Sequence, residues 1–113
     1  MTETQLMRLI KHELNTSGRC RLVRNNVGVD SEKGVRYGLV GSPDLWGPLP
    51  SGRLFGIEVK TPTGRIRPEQ HQWWRAAGKW NVTGGVCRSV EGAWRALADA
   101  EAGKVWSELH DYQ

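Results

Sequence analysis

Residues 41–60 read GSPDLWGPLPSGRLFGIEVK and contain two apolar runs joined by a short stretch rich in proline and glycine. The apolar runs cover residues 39–46 and 54–59, and residues 47–52 lie between them. Two such runs with a short Pro/Gly-rich connection are typical of an antiparallel β-hairpin. We therefore predict a hairpin here and arrange the other elements around it.

Charged residues interrupt this hairpin. Asp44 and Glu58 are equidistant from Ser51, so a symmetric hairpin places them directly opposite each other on one face. Strand alternation puts Lys60 on the same face and Val59 on the other. Two facing carboxylates repel each other unless a proton or a cation lies between them. The residues alone leave two readings open, a divalent-cation site with Lys60 beside it, or a salt-bridged group on a solvated face.

The rest of the chain predicts three helices and two further strands. Thr2 and Gln5 have capping-box spacing and open a helix that ends near Gly18. Pro68 opens a second helix that ends near Gly78, and a third follows over residues 90–102, before a short segment over 105–109. Strands are expected at residues 20–24 and 82–88, with a polar loop over 25–34. The order is α-β-β-β-α-β-α, an α/β fold with one sheet between helices.

Composition limits the function classes. The 113 residues carry a net charge of +4 and have the size of one domain, 1–113. Residues 1–90 hold fourteen Lys/Arg against seven Asp/Glu, whereas residues 91–113 hold two against five, so a basic body precedes an acidic tail. A basic body favours a polyanionic partner. The sequence has neither an apolar run of membrane-spanning length nor a secretory signal, so we expect a cytoplasmic protein with no membrane partner.

Four groups of residues together resemble a known nuclease family. They are Arg24-Asn25-Asn26, residues 41–45 (GSPDL), residues 56–65 (GIEVKTPTGR) and Gln70. The chain resembles the PD-(D/E)xK nucleases, and among them the VRR-NUC (virus-type replication-repair nuclease) domains, over roughly residues 3–97. This resemblance implies a restriction-endonuclease-like fold with a mixed sheet flanked by helices. It also implies a DNA nuclease that depends on Mg²⁺ or Mn²⁺.

The resemblance also implies roles for individual residues. Asp44, Glu58 and the carbonyl group of Val59 would hold the metal, and Lys60 would serve the attacking water. Gln70 would position water, Lys60 or the scissile phosphate, which completes a catalytic set of Asp44, Glu58, Lys60 and Gln70.

Members of this family usually add an acidic residue from the first helix, and both Glu3 and Glu13 are candidates. Glu3 lies at the centre of the apolar stripe of the helix and Glu13 at its edge, so we favour Glu3 as a metal ligand.

The resemblance, together with the absence of any base-reading module in the sequence, implies that the substrate is branched or otherwise structured DNA, cut in the manner of a Holliday-junction resolvase. Alternatives are a non-catalytic DNA-binding module with the same fold, and a monomeric flap or nicking nuclease. The residues expected to contact DNA are Arg21, Arg24, Asn26, Arg36, Arg65 and Arg67. Two coordinated cuts would need two sites, so a homodimer is expected. Trp80, Trp106 and Tyr112, at the ends of elements, are the candidate contact residues.

Overall fold

The computed structural model of the protein describes residues 1–26, 28–30 and 32–113, and the side chains of residues 28–30 and 35–37 are outside that description. Three helices and seven strands are present in this part of the chain. They are α1 (Glu3–Thr16), β1 (Val23–Arg24), β2 (Gly28–Asp30), β3 (Val35–Tyr37), β4 (Leu45–Pro48), β5 (Leu54–Val59), α2 (Pro68–Gly78), β6 (Thr83–Cys87), α3 (Val90–Glu101) and β7 (Asp111–Tyr112).

Five of the strands form one mixed sheet in the order β1-β4-β5-β6-β7. The pairs β1–β4 and β4–β5 are antiparallel, whereas β5–β6 and β6–β7 are parallel. The remaining two strands, β2 and β3, form a separate antiparallel ribbon. The predicted α/β class with a mixed sheet flanked by helices is therefore confirmed.

The two faces of β5 have different neighbours. Phe55, Ile57 and Val59 are fully buried and belong to the main hydrophobic core. That core also takes the apolar residues of α1 and α3, which lie at helical spacing in both helices. Gly56 and Glu58 face the other way, and a Cβ on Gly56 would come within 3.3 Å of the Trp74 ring in α2. α2 therefore covers the face of the sheet that carries the charged residues.

The element boundaries differ from the sequence prediction in four places. Strand β1 keeps only two of the five residues predicted at 20–24, and β4 begins at Leu45 and continues through Gly47 and Pro48, which we expected in the turn. The ribbon β2–β3 falls largely in the predicted loop. β7 forms by parallel pairing with β6, beyond the short segment predicted at 105–109. β1 and β7 pair with strands more than twenty positions away in the sequence, so their own residues give little sign of a strand.

Two of the three aromatic residues expected at a subunit contact are used inside the chain. Tyr112 is buried, its hydroxyl donates to an Asp99 carboxylate oxygen at 2.9 Å, and it accepts from the Trp106 indole N–H at 3.0 Å. Trp106 also stacks on His110 with ring centroids 4.0 Å apart. The expectation that Tyr112 offers contact surface is therefore wrong. Trp80, with 82% of its surface exposed, remains available.

No helix in the described part of the chain is long and apolar enough to cross a membrane.

Candidate active site

The hairpin register brings Asp44 and Glu58 together. Leu45 pairs with Ile57 and Trp46 with Gly56, so the next positions outward are Asp44 and Glu58. The Asp44 carboxylate also accepts a hydrogen bond from the backbone N–H of Val59 at 2.8 Å. This contact confirms the predicted opposition of the two acidic residues and fixes one oxygen of Asp44.

Glu58 is an acidic side chain placed almost entirely out of solvent, with 2% of its surface exposed. Its Oε1 accepts a hydrogen bond from the Gln70 side chain at 2.8 Å. Its Oε2 is buried and has no hydrogen-bond partner among the described residues. Burial, the charge of Asp44 and a hydrogen bond that protonated Glu58 can share with the Asp44 carboxylate raise the pKa of Glu58 to about 9, while Lys60 acts in the opposite direction. With both carboxyl groups ionised, no donor reaches Oε2 from the described residues. A cation at Oε2 would give this atom the partner that the protein does not supply.

Lys60 follows Glu58 at the end of β5. Its backbone N–H donates to the Cys87 carbonyl at 3.1 Å, which continues the parallel pairing with β6 past the last residue of the strand. The residue is only 6% exposed, and its side chain lines the same cavity as Glu58. A lysine this deeply buried near two carboxylates is held with its side chain towards the cavity and is not a solvated surface group.

Gln70 connects α2 to the acidic pair. Its Oε1 accepts from the Arg67 backbone N–H at 2.8 Å, which closes the N-terminus of the helix, and its Nε2 donates to Glu58. Both ends of the amide are therefore engaged, and the amide orientation is fixed by the donor on one side and the acceptor on the other. Gln70 holds Glu58 in place, a contact that the sequence analysis did not anticipate.

Asn25 holds the loop that precedes Asp44, although the sequence analysis gave it no role of its own. Its side-chain amide donates to the Ser42 hydroxyl at 2.7 Å and to the Pro43 carbonyl at 2.9 Å. Its backbone N–H donates to the Asp44 carbonyl at 2.8 Å. In the sequence, only its place beside Arg24 in the family motif singled out Asn25. The fold shows that its side chain contacts the loop before Asp44.

Gly41 allows the same loop to approach α2. The residue has φ +87°, and a Cβ there would lie 2.2 Å from the Glu69 carbonyl oxygen. Any side chain at this position would push the loop away from the helix that carries Gln70.

A cavity of about 180 Å³ connects these groups. The charged residues that line it are Glu3, Asp44, Glu58, Lys60, Arg67 and Glu69. Four carboxyl groups therefore face two cationic groups, an excess of negative charge that suits a cation. Among the described residues, no three Asp, Glu, His or Cys side chains lie close enough to share one ion. Glu3 lines the cavity with Asp44 and Glu58, and its role as a metal ligand stays a prediction.

A pair of carboxylates still fits a hard divalent ion. Mg²⁺ is commonly held by one or two carboxylates, with water and substrate oxygens filling the other positions. The unpartnered Oε2 of Glu58 and the facing Asp44 have this chemistry. The site is therefore suited to Mg²⁺ or Mn²⁺. Glu13, the alternative acidic residue of α1, does not line the cavity.

The residues predicted to contact DNA are spread over the surface. Arg67 lines the cavity, and Arg65 is exposed nearby in the chain. Arg24 and Asn26 are exposed on and after β1. Arg21 lines a different cavity at the other end of β1. The side chain of Arg36 lies outside the described residues.

Arg88 is a further residue that the sequence analysis missed. Its guanidinium group forms a partly buried ion pair with Asp111 at 3.1 Å and donates to the carbonyl groups of Thr61 at 2.8 Å and Gly64 at 2.7 Å. It thereby ties the loop that follows Lys60 to strand β7. No local pattern marks this role, since its partners are 23 to 27 positions away.

The fold and the site together define a nuclease-type α/β domain. The family model of the VRR-NUC domain matches residues 29–91, a span that includes Asp44, Glu58, Lys60 and Gln70. The chain belongs to the VRR-NUC family, as its resemblance predicted, and its fold is restriction-endonuclease-like. Glu3 precedes the matched span. Comparison with curated proteins and with solved structures gave no match.

Proposed function

We propose that the protein is a metal-dependent endonuclease that hydrolyses phosphodiester bonds in branched or structured DNA. The observation that carries the proposal is the buried Glu58 carboxyl, which faces Asp44, has one unpartnered oxygen and lies two residues from a buried Lys60. A buried glutamate that faces a second carboxylate is costly to a fold that uses it only for structure. A cation and a phosphodiester would offset that cost.

In this proposal Asp44, Glu58 and the carbonyl group of Val59 would hold Mg²⁺ or Mn²⁺. When bound, the ion would supply Lewis-acid stabilisation of the negative charge on the phosphate. Gln70 keeps Glu58 oriented by its hydrogen bond to Oε1. Glu3 adds negative charge at the cavity wall.

Lys60 contributes to the attack itself. Its ammonium group lines the cavity and can orient a water molecule and stabilise charge that develops on the phosphate oxygens. As water attacks, a new P–O bond forms and the P–O bond to the leaving oxygen breaks. Arg67, at the same cavity, would hold a phosphate oxygen of the substrate.

The depth of the site supports the proposed preference for branched DNA. Glu58 and Lys60 are almost fully buried within a cavity of about 180 Å³. A phosphodiester in a regular duplex is held in a stacked helix and must be distorted to enter such a cavity. Junctions, flaps and loops have irregular backbones in which this distortion costs less. A homodimer, in which the exposed Trp80 is available for contact, would allow paired cuts.

A panel of labelled DNAs tests the proposal. Duplex, single-strand, flap and four-way-junction substrates of equal length are incubated with the purified protein and Mg²⁺, Mn²⁺, Ca²⁺ or a chelator. We expect discrete cuts near the branch point with Mg²⁺ or Mn²⁺ and none with the chelator. Binding without cleavage under every metal condition would favour the non-catalytic alternative. Light scattering on the same sample separates a dimer from a 12.7 kDa monomer.

A further inference from the structure

A basic groove lies beside the C-terminal half of α1. It consists of two adjoining cavities of about 640 and 500 Å³ that share Lys11 and Asn15, and we name them together the α1 groove. The basic residues that line it are Arg8, Lys11, His12, Arg19 and Arg21. Within the part of the chain that is described, no aspartate or glutamate lines either cavity. Its charge is therefore opposite to that of the catalytic cavity.

Most of this positive charge has no ion-pair partner among the residues that the structure describes. Arg19 is paired with Glu101. Arg8, Lys11 and Arg21 form no ion pair with a described carboxylate. Like charges that converge on one groove repel each other, and a bound polyanion would relieve this repulsion and release its condensed counterions. The groove therefore suits a chain of phosphates better than a neutral ligand.

Two elements run from the catalytic cavity to the α1 groove. Glu3 lines the catalytic cavity, and Lys11 follows it by eight residues, about 12 Å along the helix axis. Along the sheet edge, Arg24 pairs with Leu45 next to the acidic pair, whereas Arg21 lies against Gly47 nearer the hairpin turn. Thr16, the last residue of α1, lies about 20 Å from Glu3 along the axis. The part of the groove from Lys11 to Thr16 therefore lies about four to six base-pair steps of about 3.4 Å from the catalytic cavity.

We propose that the α1 groove binds the phosphate backbone of a DNA arm about four to six nucleotides from the scissile phosphate. This inference rests on the proposed nuclease function, because it takes the catalytic cavity as the position of the cut. Contacts to phosphates fix the position of DNA without reading its sequence. The groove would thus hold one arm of a branched substrate while the branch point presents the scissile bond.

Salt dependence of binding is the first test. Affinity of the cleavage-deficient Asp44→Asn protein for a four-way junction is measured by fluorescence anisotropy over a range of NaCl concentrations. Adding Lys11→Gln and Arg21→Gln should reduce the slope of log K against log salt by about 1.8, or about 0.9 for each phosphate that the protein no longer neutralises. Lys79→Gln with Arg95→Gln removes the same charge from exposed residues that line neither cavity. An equal slope change in this control pair would overturn the inference.

Neutral phosphates provide the second test. Methylphosphonate groups are placed four to six nucleotides from the mapped cut, and also at matched positions close to the arm end. We expect the first set to weaken binding of the parent protein at least fivefold and to have less than a twofold effect on the Lys11/Arg21 variant. If the methylphosphonates weakened binding of the Lys11/Arg21 variant as much as they weaken binding of the parent protein, the proposed contact would be overturned. Absence of cleavage by the wild-type protein with Mg²⁺ would instead refute the nuclease proposal, whereas the salt test does not depend on cleavage.

Discussion

Replacement of Glu58 by glutamine should stabilise the metal-free protein. The pKa of Glu58 is about 9 in the fold, against 4.5 for an ordinary glutamate. At pH 7 this side chain is ionised in the unfolded chain and protonated in the folded one, so folding must take up a proton. Each pH unit between 4.5 and 7 costs about 1.4 kcal/mol, which gives about 3–4 kcal/mol at pH 7. Glutamine is neutral, has nearly the same shape and can still accept the hydrogen bond from Gln70.

The sign of the pH dependence follows from the raised pKa. The stability contributed by protonated Glu58 is fully present below pH 4.5 and is lost as pH rises towards 9. Between these limits the free energy of unfolding of the wild-type protein should fall by up to about 1.4 kcal/mol per pH unit relative to the Glu58→Gln variant. Taking the difference in free energy of unfolding between the two proteins cancels the contributions of all other titrating groups, because both proteins share them.

Urea unfolding in excess chelator at pH 5, 6, 7 and 8 measures this difference. Glu13→Gln, which removes an exposed carboxylate from α1, is the matched control and should change the stability by less than about 0.5 kcal/mol at every pH. Added Mn²⁺ should stabilise the wild-type protein and leave Glu58→Gln unchanged. Parallel pH curves for wild type and Glu58→Gln would refute the reasoning, because they would show that burial of Glu58 does not couple folding to a proton.

Three further predictions concern the neighbours of this carboxyl. Asp44→Asn should bind DNA several-fold more tightly in chelator, measured by fluorescence anisotropy, because it removes negative charge from the cavity; weaker binding would contradict this. Arg88→Gln should lower the free energy of unfolding by about 1–3 kcal/mol in urea, because it leaves Asp111 without its cation; an unchanged midpoint would contradict the anchoring role. Glu3→Gln should slow cleavage more than Glu13→Gln, and equal rates would remove Glu3 from the site.

The sequence predicted those parts of the fold that are encoded locally. The capping box of α1, the proline at the start of α2 and the apolar spacing of α3 are short-range signals, and all three helices are present. β7 has only two residues and exists because it pairs with β6, so nothing within it marks a strand. The end of β4 was misplaced because Gly47 and Pro48 have the composition of a turn but continue the pairing with β5.

The candidate site divides in the same way. The equal distance of Asp44 and Glu58 from Ser51 predicted their opposition, because a hairpin centred on Ser51 pairs residues that are equally far from it in the sequence. The amide contact of Gln70 with Glu58 and the reach of Asn25 into the loop before Asp44 depend on how α2 and β1 lie against the hairpin. Such contacts join residues that are far apart in the sequence, and no local periodicity encodes them.

Single-turnover cleavage is the most direct test of the central claim that Asp44, Glu58 and Lys60 form a metal-dependent nuclease site. Wild type, Glu58→Gln and Lys60→Ala, purified in parallel, are mixed in excess with a labelled four-way junction and Mg²⁺. We predict cuts by the wild-type protein and rates lower by about 100-fold or more in both variants, with junction binding retained. Cleavage by Glu58→Gln at the wild-type rate, or full wild-type activity in excess chelator, would contradict the account.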